Sequence, residues 1–196
     1  MKKTQAKTKN IAVLGLFTAI IVVFQLLSYG LTAMGVFPLS LVLIPIVLGA
    51  YLYGAGAGAI LGAAFGIVVT VCCFMGLDKG GYILISANPY ITTAICIVKG
   101  AAAGALAGLV ALPFKKTHPT LAIILAAIVA PIVNTGLFVF GVLVFFKDIL
   151  YSWSGGTDLT LYVITGLVGI NFLVEFTINV VAAPFMKRVE KAVKKA

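Results

Sequence analysis

Residues 55–77 read AGAGAILGAAFGIVVTVCCFMGL, a run without a single charged side chain. A helix needs about 20 apolar residues to cross the roughly 30 Å hydrocarbon core of a bilayer, so this run is long enough to span a membrane. Of the 196 residues, 62% are hydrophobic and 10% are charged, whereas soluble domains carry about 25% charged residues. So few polar side chains cannot cover a water-exposed surface, and the sequence predicts an all-α integral membrane protein.

Further apolar runs lie on both sides of this one, separated by polar or Gly/Pro-rich breaks. Together they predict one membrane domain over residues 1–196, a bundle of six transmembrane helices with spans at about 10–29, 38–53, 55–77, 89–112, 120–147 and 161–186. The first run also resembles the apolar part of a signal peptide. It is long for that role and no clear small-residue cleavage site follows it, so we expect a span.

The charged residues predict the orientation of the bundle. If both termini are cytoplasmic, the inner segments 1–9, 53–55, 113–119 and 187–196 hold eleven basic residues and one acid, Glu190. The outer loops then hold two lysines and three aspartates: Lys79, Lys147, Asp78, Asp148 and Asp158. An excess of Lys and Arg on the cytoplasmic side is the rule for membrane proteins. The net charge of +9 therefore indicates topology and contact with membrane lipid, and no nucleic acid partner is expected.

Small residues recur every four positions on two spans: Gly54, Gly58, Gly62 and Gly66 on the third, and Gly100, Gly104 and Gly108 on the fourth. Each set lies along one helix face, where glycine lets two backbones approach closely. Packing within the bundle is the simpler interpretation, and a docking face for a partner subunit is the alternative. Cys72, Cys73 and Cys96 show no metal-ligand spacing and are interpreted as small core residues.

Two charged residues fall deep inside predicted spans, Lys99 in the fourth and Glu175 in the sixth. A charge facing lipid at that depth costs at least about 2.5–3.5 kcal/mol. Both side chains are therefore expected to face the bundle interior or a wet cavity. A structural ion pair and a direct contact with a polar ligand are both open interpretations.

Amide side chains accompany these two charges. Asn171, Glu175 and Asn179 share one face of the sixth span, Asn88 and Lys99 one face of the fourth, and Asn134 follows Pro131 in the fifth. A converging set of amides and opposite charges is typical of a site for a small polar molecule. The predicted substrate-binding residues are Asn88, Lys99, Asn134, Asn171 and Glu175. Three loop aromatics, Tyr82, Tyr151 and Trp153, either cover this site from outside or form an interfacial belt.

Several catalytic and nucleotide-binding patterns are missing from the sequence. It contains no GxxxxGKS or GxxxxGKT phosphate-binding loop and no HExxH zinc motif. Its single histidine, His118, lies in a Lys-rich loop, and only Glu175 is acidic within the predicted membrane region. We therefore expect neither an enzyme nor a bound cofactor or metal.

Four short stretches, taken with the size and the six spans, resemble one known family across the whole chain. They are Ile44-Pro-Ile-Val-Leu-Gly-Ala50 before the Gly-rich third span, Cys96-Ile-Val-Lys-Gly100, Pro131-Ile-Val-Asn-Thr-Gly136, and Asn171-Phe-Leu-Val-Glu175 with Asn179. The chain resembles the substrate-binding S-components of energy-coupling factor (ECF) transporters, the vitamin importers of prokaryotes. The most similar branch includes the pantothenate and riboflavin carriers.

The resemblance implies a subunit in the prokaryotic plasma membrane that captures a water-soluble vitamin from outside. It then docks on a transmembrane coupling subunit and two cytoplasmic ATPases, and ATP hydrolysis makes it topple and release the vitamin inward. The family docks through an AxxxA motif in the first helix. The matching residues here are Ala12, Gly15 and Ala19, with glycine replacing the first alanine of the motif. The vitamin stays open among pantothenate, riboflavin, folate, cobalamin, a queuosine precursor and others.

Two other classes of function fit the same residues. A stand-alone carrier or channel would use Lys99 and Glu175 as an ion or proton relay, and its transport would persist without an ATPase partner. A membrane scaffold would bind no metabolite.

Overall fold

A computed structural model describes residues 2–33 and 41–195, with side chains described for 11–32, 41–166, 168–169 and 172–190. Within these ranges the chain consists of helices joined by short turns and contains no strand. The start of the predicted second span, 38–40, lies outside the described residues. The helices are α1 Lys2–Ala33, α2 Leu43–Tyr53, α3 Ala55–Phe74, α4 Lys79–Ala87, α5 Pro89–Ala111, α6 Pro119–Phe145, α7 Lys147–Ser154, α8 Leu159–Tyr162 and α9 Gly169–Lys195. A 3₁₀ turn, Leu112–Phe114, extends α5, and a π-helical stretch, Val163–Val168, precedes α9.

Four segments of the described chain are long and apolar enough to cross a membrane: Ile11–Thr32, Ala55–Phe74, Pro89–Phe114 and Pro119–Phe145. They confirm the all-α class and indicate a membrane protein. The six-span count also depends on α2, whose 11 residues extend only about 16 Å. It depends equally on the last span, which is divided between α8, the π-helical stretch and α9 at Gly169. Six spans therefore stay a prediction.

Helix α2 lies in the centre of the bundle. Val42, Leu43, Ile46 and Val47 are completely buried, and α2 packs against α1, α3, α5, α6 and α9. A helix that is apolar on all sides is stable in such a position. Gly54 turns the chain directly into α3 with φ at 93°, a conformation that glycine adopts without strain. The tight hairpin between α2 and α3 therefore follows from one glycine.

Two short helices lie where the sequence was expected to form loops. Helix α4 begins at Asp78, whose Oδ1 accepts a hydrogen bond of 2.8 Å from the Gly81 amide. Helix α7 buries Leu150 against Leu84 and Val142 and ends at Gly155 in the left-handed conformation, φ 57°. The expectation that Tyr151 and Trp153 lie in a loop is therefore wrong, because both belong to α7. Both helices form one end of the bundle, where they contribute to a cavity.

Helices α3 and α5 are in direct backbone contact through their glycines. A methyl group added to Gly58 would overlap the carbonyl oxygen of Gly104, and one added to Gly62 would overlap that of Gly100. Gly66 meets the backbone of Cys96 in the same way. The prediction of close packing within the bundle is confirmed. Because these faces are occupied by each other, they do not serve as a docking surface for a partner subunit.

We expect Gly62→Ala to destabilise the protein by about 1–3 kcal/mol, because the added methyl has no space against the α5 backbone. Gly56→Ala is the matched control on the same helix, since a Cβ there meets no atom within 4 Å. It should leave stability unchanged or raise it slightly, as alanine favours a helix. Thermal unfolding in detergent measures both variants. Equal midpoints for Gly62→Ala and Gly56→Ala would show that the close α3–α5 contact is wrong.

Candidate functional site

A cavity of about 320 Å³ lies at the end of the bundle that α4 and α7 form. Its walls come from α3, α4, α5, α6 and α7, and its polar or aromatic lining includes Asp78, Thr92, Lys99, Phe138 and Trp153. This volume falls at the lower limit of the roughly 300–1,000 Å³ typical of small-molecule sites. The cavity is therefore large enough for a small metabolite.

Lys99 is half-buried on α5 and lines this cavity. Its Nζ lies 4.7 Å from the ring centroid of Phe138 and 5.9 Å from that of Phe65. Aromatic ring faces attract a cation, and more strongly where water is excluded. The structure thus confirms that Lys99 faces a cavity inside the bundle.

A second cavity, of about 160 Å³, adjoins the first because Lys99 and Phe138 line both. Its other lining residues include Asn134, Thr135, Phe172 and Glu175. Three of the five predicted substrate-binding residues, Lys99, Asn134 and Glu175, therefore meet at one place from three different helices. The choice between an ion pair and a ligand contact for Lys99 and Glu175 stays a prediction.

Asn134 is almost fully buried, with 6% of its surface exposed. Its side-chain carbonyl oxygen has no hydrogen-bond partner among the described residues. An unpaired buried acceptor costs about 1–3 kcal/mol. Pro131 lies three residues earlier in α6. Because proline has no backbone N–H, one backbone hydrogen bond of this helix is missing there. The contacts of the described residues therefore leave the side-chain carbonyl oxygen of Asn134 without a hydrogen bond.

Helix α9 contributes two further polar side chains. Asn179 is completely buried and donates from Nδ2 to the backbone oxygen of Glu175 at 2.8 Å. This bond lies within one helix turn, so it supports α9 locally. Asn171 lies at the start of α9, and its side chain is outside those that the structure describes.

Asn88 stabilises the start of a helix in this fold. It is the N-cap of α5, and its Oδ1 accepts a hydrogen bond of 3.1 Å from the Ile91 amide. Pro89 follows at the first position of the helix, where its missing N–H is harmless. Thr92, one turn later, lines the larger cavity. N-capping of α5 therefore accounts for an asparagine at position 88.

The three aromatic residues that were predicted to lie in loops differ in position. Trp153 lines the cavity, as expected of a residue that covers the site. Tyr82 and Tyr151 are 51% and 52% exposed, as expected of an interfacial belt. The predicted docking residues on α1 lie elsewhere: Ala12, Gly15 and Ala19 are all exposed, and a Cβ at Gly15 would meet nothing within 4 Å.

The cavity also contains residues that sequence reasoning missed as site residues. Phe138 lies four residues after Asn134 and Cys96 three residues before Lys99, so helical spacing from the polar residues could have indicated both. Asp78 could have been recognised as an N-cap. Its second oxygen accepts a hydrogen bond of 3.2 Å from the Tyr29 hydroxyl on α1.

No protein-family model, no curated protein and no solved structure matches this chain.

We expect Asn88→Ala to lower the stability by about 1 kcal/mol through loss of the N-cap. Asn88→Ser should keep the original thermal midpoint in detergent, because a serine hydroxyl also caps a helix. If Asn88→Ser keeps its stability but loses affinity for a bound metabolite, Asn88 belongs to the binding site and its role exceeds capping.

Proposed function

We propose that this chain is the substrate-capture subunit of an ECF-type importer in the plasma membrane of a prokaryote. It binds a water-soluble vitamin or related small metabolite from outside. It delivers this molecule inward when docked on a transmembrane coupling subunit driven by two cytoplasmic ATPases. The observation that carries the proposal is the cavity of about 320 Å³ with Lys99 in its lining.

The cost of the polar residues supports a binding role. Lys99, Asn134 and Glu175 line one cavity in a chain that is otherwise strongly apolar. Leucine at positions 99 and 134 would avoid the penalty of burying a charge and an amide oxygen that has no partner among the described residues. A polar ligand that contacts these groups offsets that penalty, whereas a scaffold without a ligand would not need them.

The proposed orientation places the cavity on the outer side. Its end of the bundle carries Asp78 and α7, whereas the opposite end carries the basic loop with Lys115 and Lys116. At that opposite end Lys115 donates to the backbone oxygen of Leu52 at 2.9 Å. An outward cavity is what a capture subunit requires.

A partner would supply both the energy and the docking site. The sequence has no phosphate-binding loop of its own. The small residues on α1 lie on an exposed face, and small residues permit close contact between helices in a membrane. This face is where the family resemblance expects the coupling subunit.

Topology can be tested by cysteine labelling in intact cells, in a background without Cys72, Cys73 and Cys96. Both Lys116 and Asp158 are exposed in the structure, so a cysteine at either position is sterically accessible. We expect a membrane-impermeant maleimide to modify Asp158→Cys and to modify Lys116→Cys only after permeabilisation. Efficient labelling of Lys116→Cys in intact cells would contradict the six-span orientation.

The docking face and the energy source can be tested together. We expect Gly15→Leu to block co-purification with the coupling subunit and ATP-dependent uptake, because a bulky side chain separates the helices. The affinity for the small molecule that mass spectrometry finds on the purified protein should be unchanged. Gly30→Leu is the matched control, since Gly30 is also exposed on α1 with open space around it.

Two results would contradict this proposal. If Gly15→Leu assembles and transports normally, the docking face lies elsewhere on the protein. If uptake persists in cells without the ATPases, the chain is a stand-alone carrier.

A further inference from the structure

The charged groups at the cavity differ in how many hydrogen bonds they already make within the protein. Asp78 accepts hydrogen bonds on both carboxylate oxygens, from the Gly81 amide and from the Tyr29 hydroxyl. Lys99 instead faces the rings of Phe138 and Phe65, which attract its charge without accepting conventional hydrogen bonds. Among the described residues, the larger cavity therefore offers an ammonium group with N–H donors to spare, and the acid that they contribute to its lining, Asp78, is already engaged.

The smaller cavity has the opposite character. The carbonyl oxygen of Asn134 is buried without a partner among the described residues, and Glu175 lies in the same lining. An amide carbonyl oxygen and a carboxylate are both hydrogen-bond acceptors. This side of Lys99 is therefore suited to a ligand group that donates an N–H.

Resting on the function proposed above, we infer that the substrate is a monocarboxylate that also carries an N–H donor, joined by an apolar or aromatic part. Its carboxylate binds the ammonium of Lys99, and its N–H donates to the carbonyl oxygen of Asn134. The apolar part lies against Phe138, which lines both cavities, and Trp153, which lines the larger one.

The number of charges distinguishes a carboxylate from a phosphate. Lys99 is the single basic residue among the described residues that line the two cavities. A phosphate monoester carries nearly two negative charges at neutral pH, and one ammonium balances only one of them. A carboxylate carries one charge and matches one lysine.

The test measures dissociation constants and thermal shifts for the purified protein in detergent. The panel consists of the water-soluble vitamins and a set of N-acyl amino acids, each carboxylate paired with its methyl ester and each secondary amide with its N-methyl analogue. We expect the panel members that bind to be carboxylates with an N–H. Their methyl esters should bind at least ~10-fold more weakly, a difference of about 1.4 kcal/mol.

Variants separate the two halves of the inference. Lys99→Met should weaken binding of the acid by about 10-fold or more and leave binding of its ester unchanged, which also shows that the variant is folded. Lys79→Met is the matched control, because Lys79 is exposed on α4 and its loss removes the same charge at the same end. Asn134→Ala should weaken binding of the compound that carries the N–H and leave binding of its N-methyl analogue unchanged.

The possible results distinguish this inference from the proposed function. Esters or amines that bind as tightly as the acids, or acids that bind Lys99→Met with full affinity, overturn the substrate class and leave the capture function standing. A protein that no panel member stabilises contradicts the capture function as well.

Discussion

The backbone contact between α3 and α5 determines where the rest of the structure can be open. From Gly58 to Gly66 the two helices meet without intervening side chains, so no space remains between them. Farther along the same faces the residues are Val69 and Cys73 on α3 and Thr92 and Cys96 on α5, and these line the cavity. The helices can separate only where the glycines end. The cavity therefore lies at one end of the bundle, beneath α4 and α7.

The same contact fixes the position of the charged group. Gly100 is held against Gly62, and Lys99 is its neighbour in the chain. Successive residues on an α-helix point about 100° apart, so Lys99 cannot share the buried face of Gly100 and turns toward α6. There it meets Phe138 at 4.7 Å. A rigid backbone contact thus orients a flexible side chain, which is what a binding site needs to keep its geometry without a ligand.

Much of this arrangement could be predicted from the sequence, and what could not has a physical reason. The length and hydropathy of the apolar runs identify membrane-crossing helices, and the four-residue spacing of the glycines identifies the α3–α5 contact. The first signal depends only on how apolar the side chains are, and the second only on how small they are. Phe138 was missed because lipid is as apolar as a protein core, so periodicity does not tell a cavity-facing aromatic from a lipid-facing one. Asn88 caps α5, and a further ligand contact there stays a prediction, because an asparagine that caps a helix and one that binds a metabolite look alike in the sequence. Helices α4 and α7 are short, and their polar residues resemble those of loops.

The hydrogen bond from Tyr29 to Asp78 joins two parts of the molecule that the sequence keeps far apart. Tyr29 lies near the end of α1, whose other half carries the exposed small residues, and Asp78 starts α4 beside the cavity. The bond is 3.2 Å long and partly buried, and a hydrogen bond to a carboxylate contributes about 1.5–3 kcal/mol. That is small compared with the free energy of a stable association between subunits. A displacement of α1 by a few ångströms away from α4 would break this bond. Asp78 would then accept one hydrogen bond in place of two. The N-cap bond from the Gly81 amide lies within the first turn of α4 and does not depend on α1.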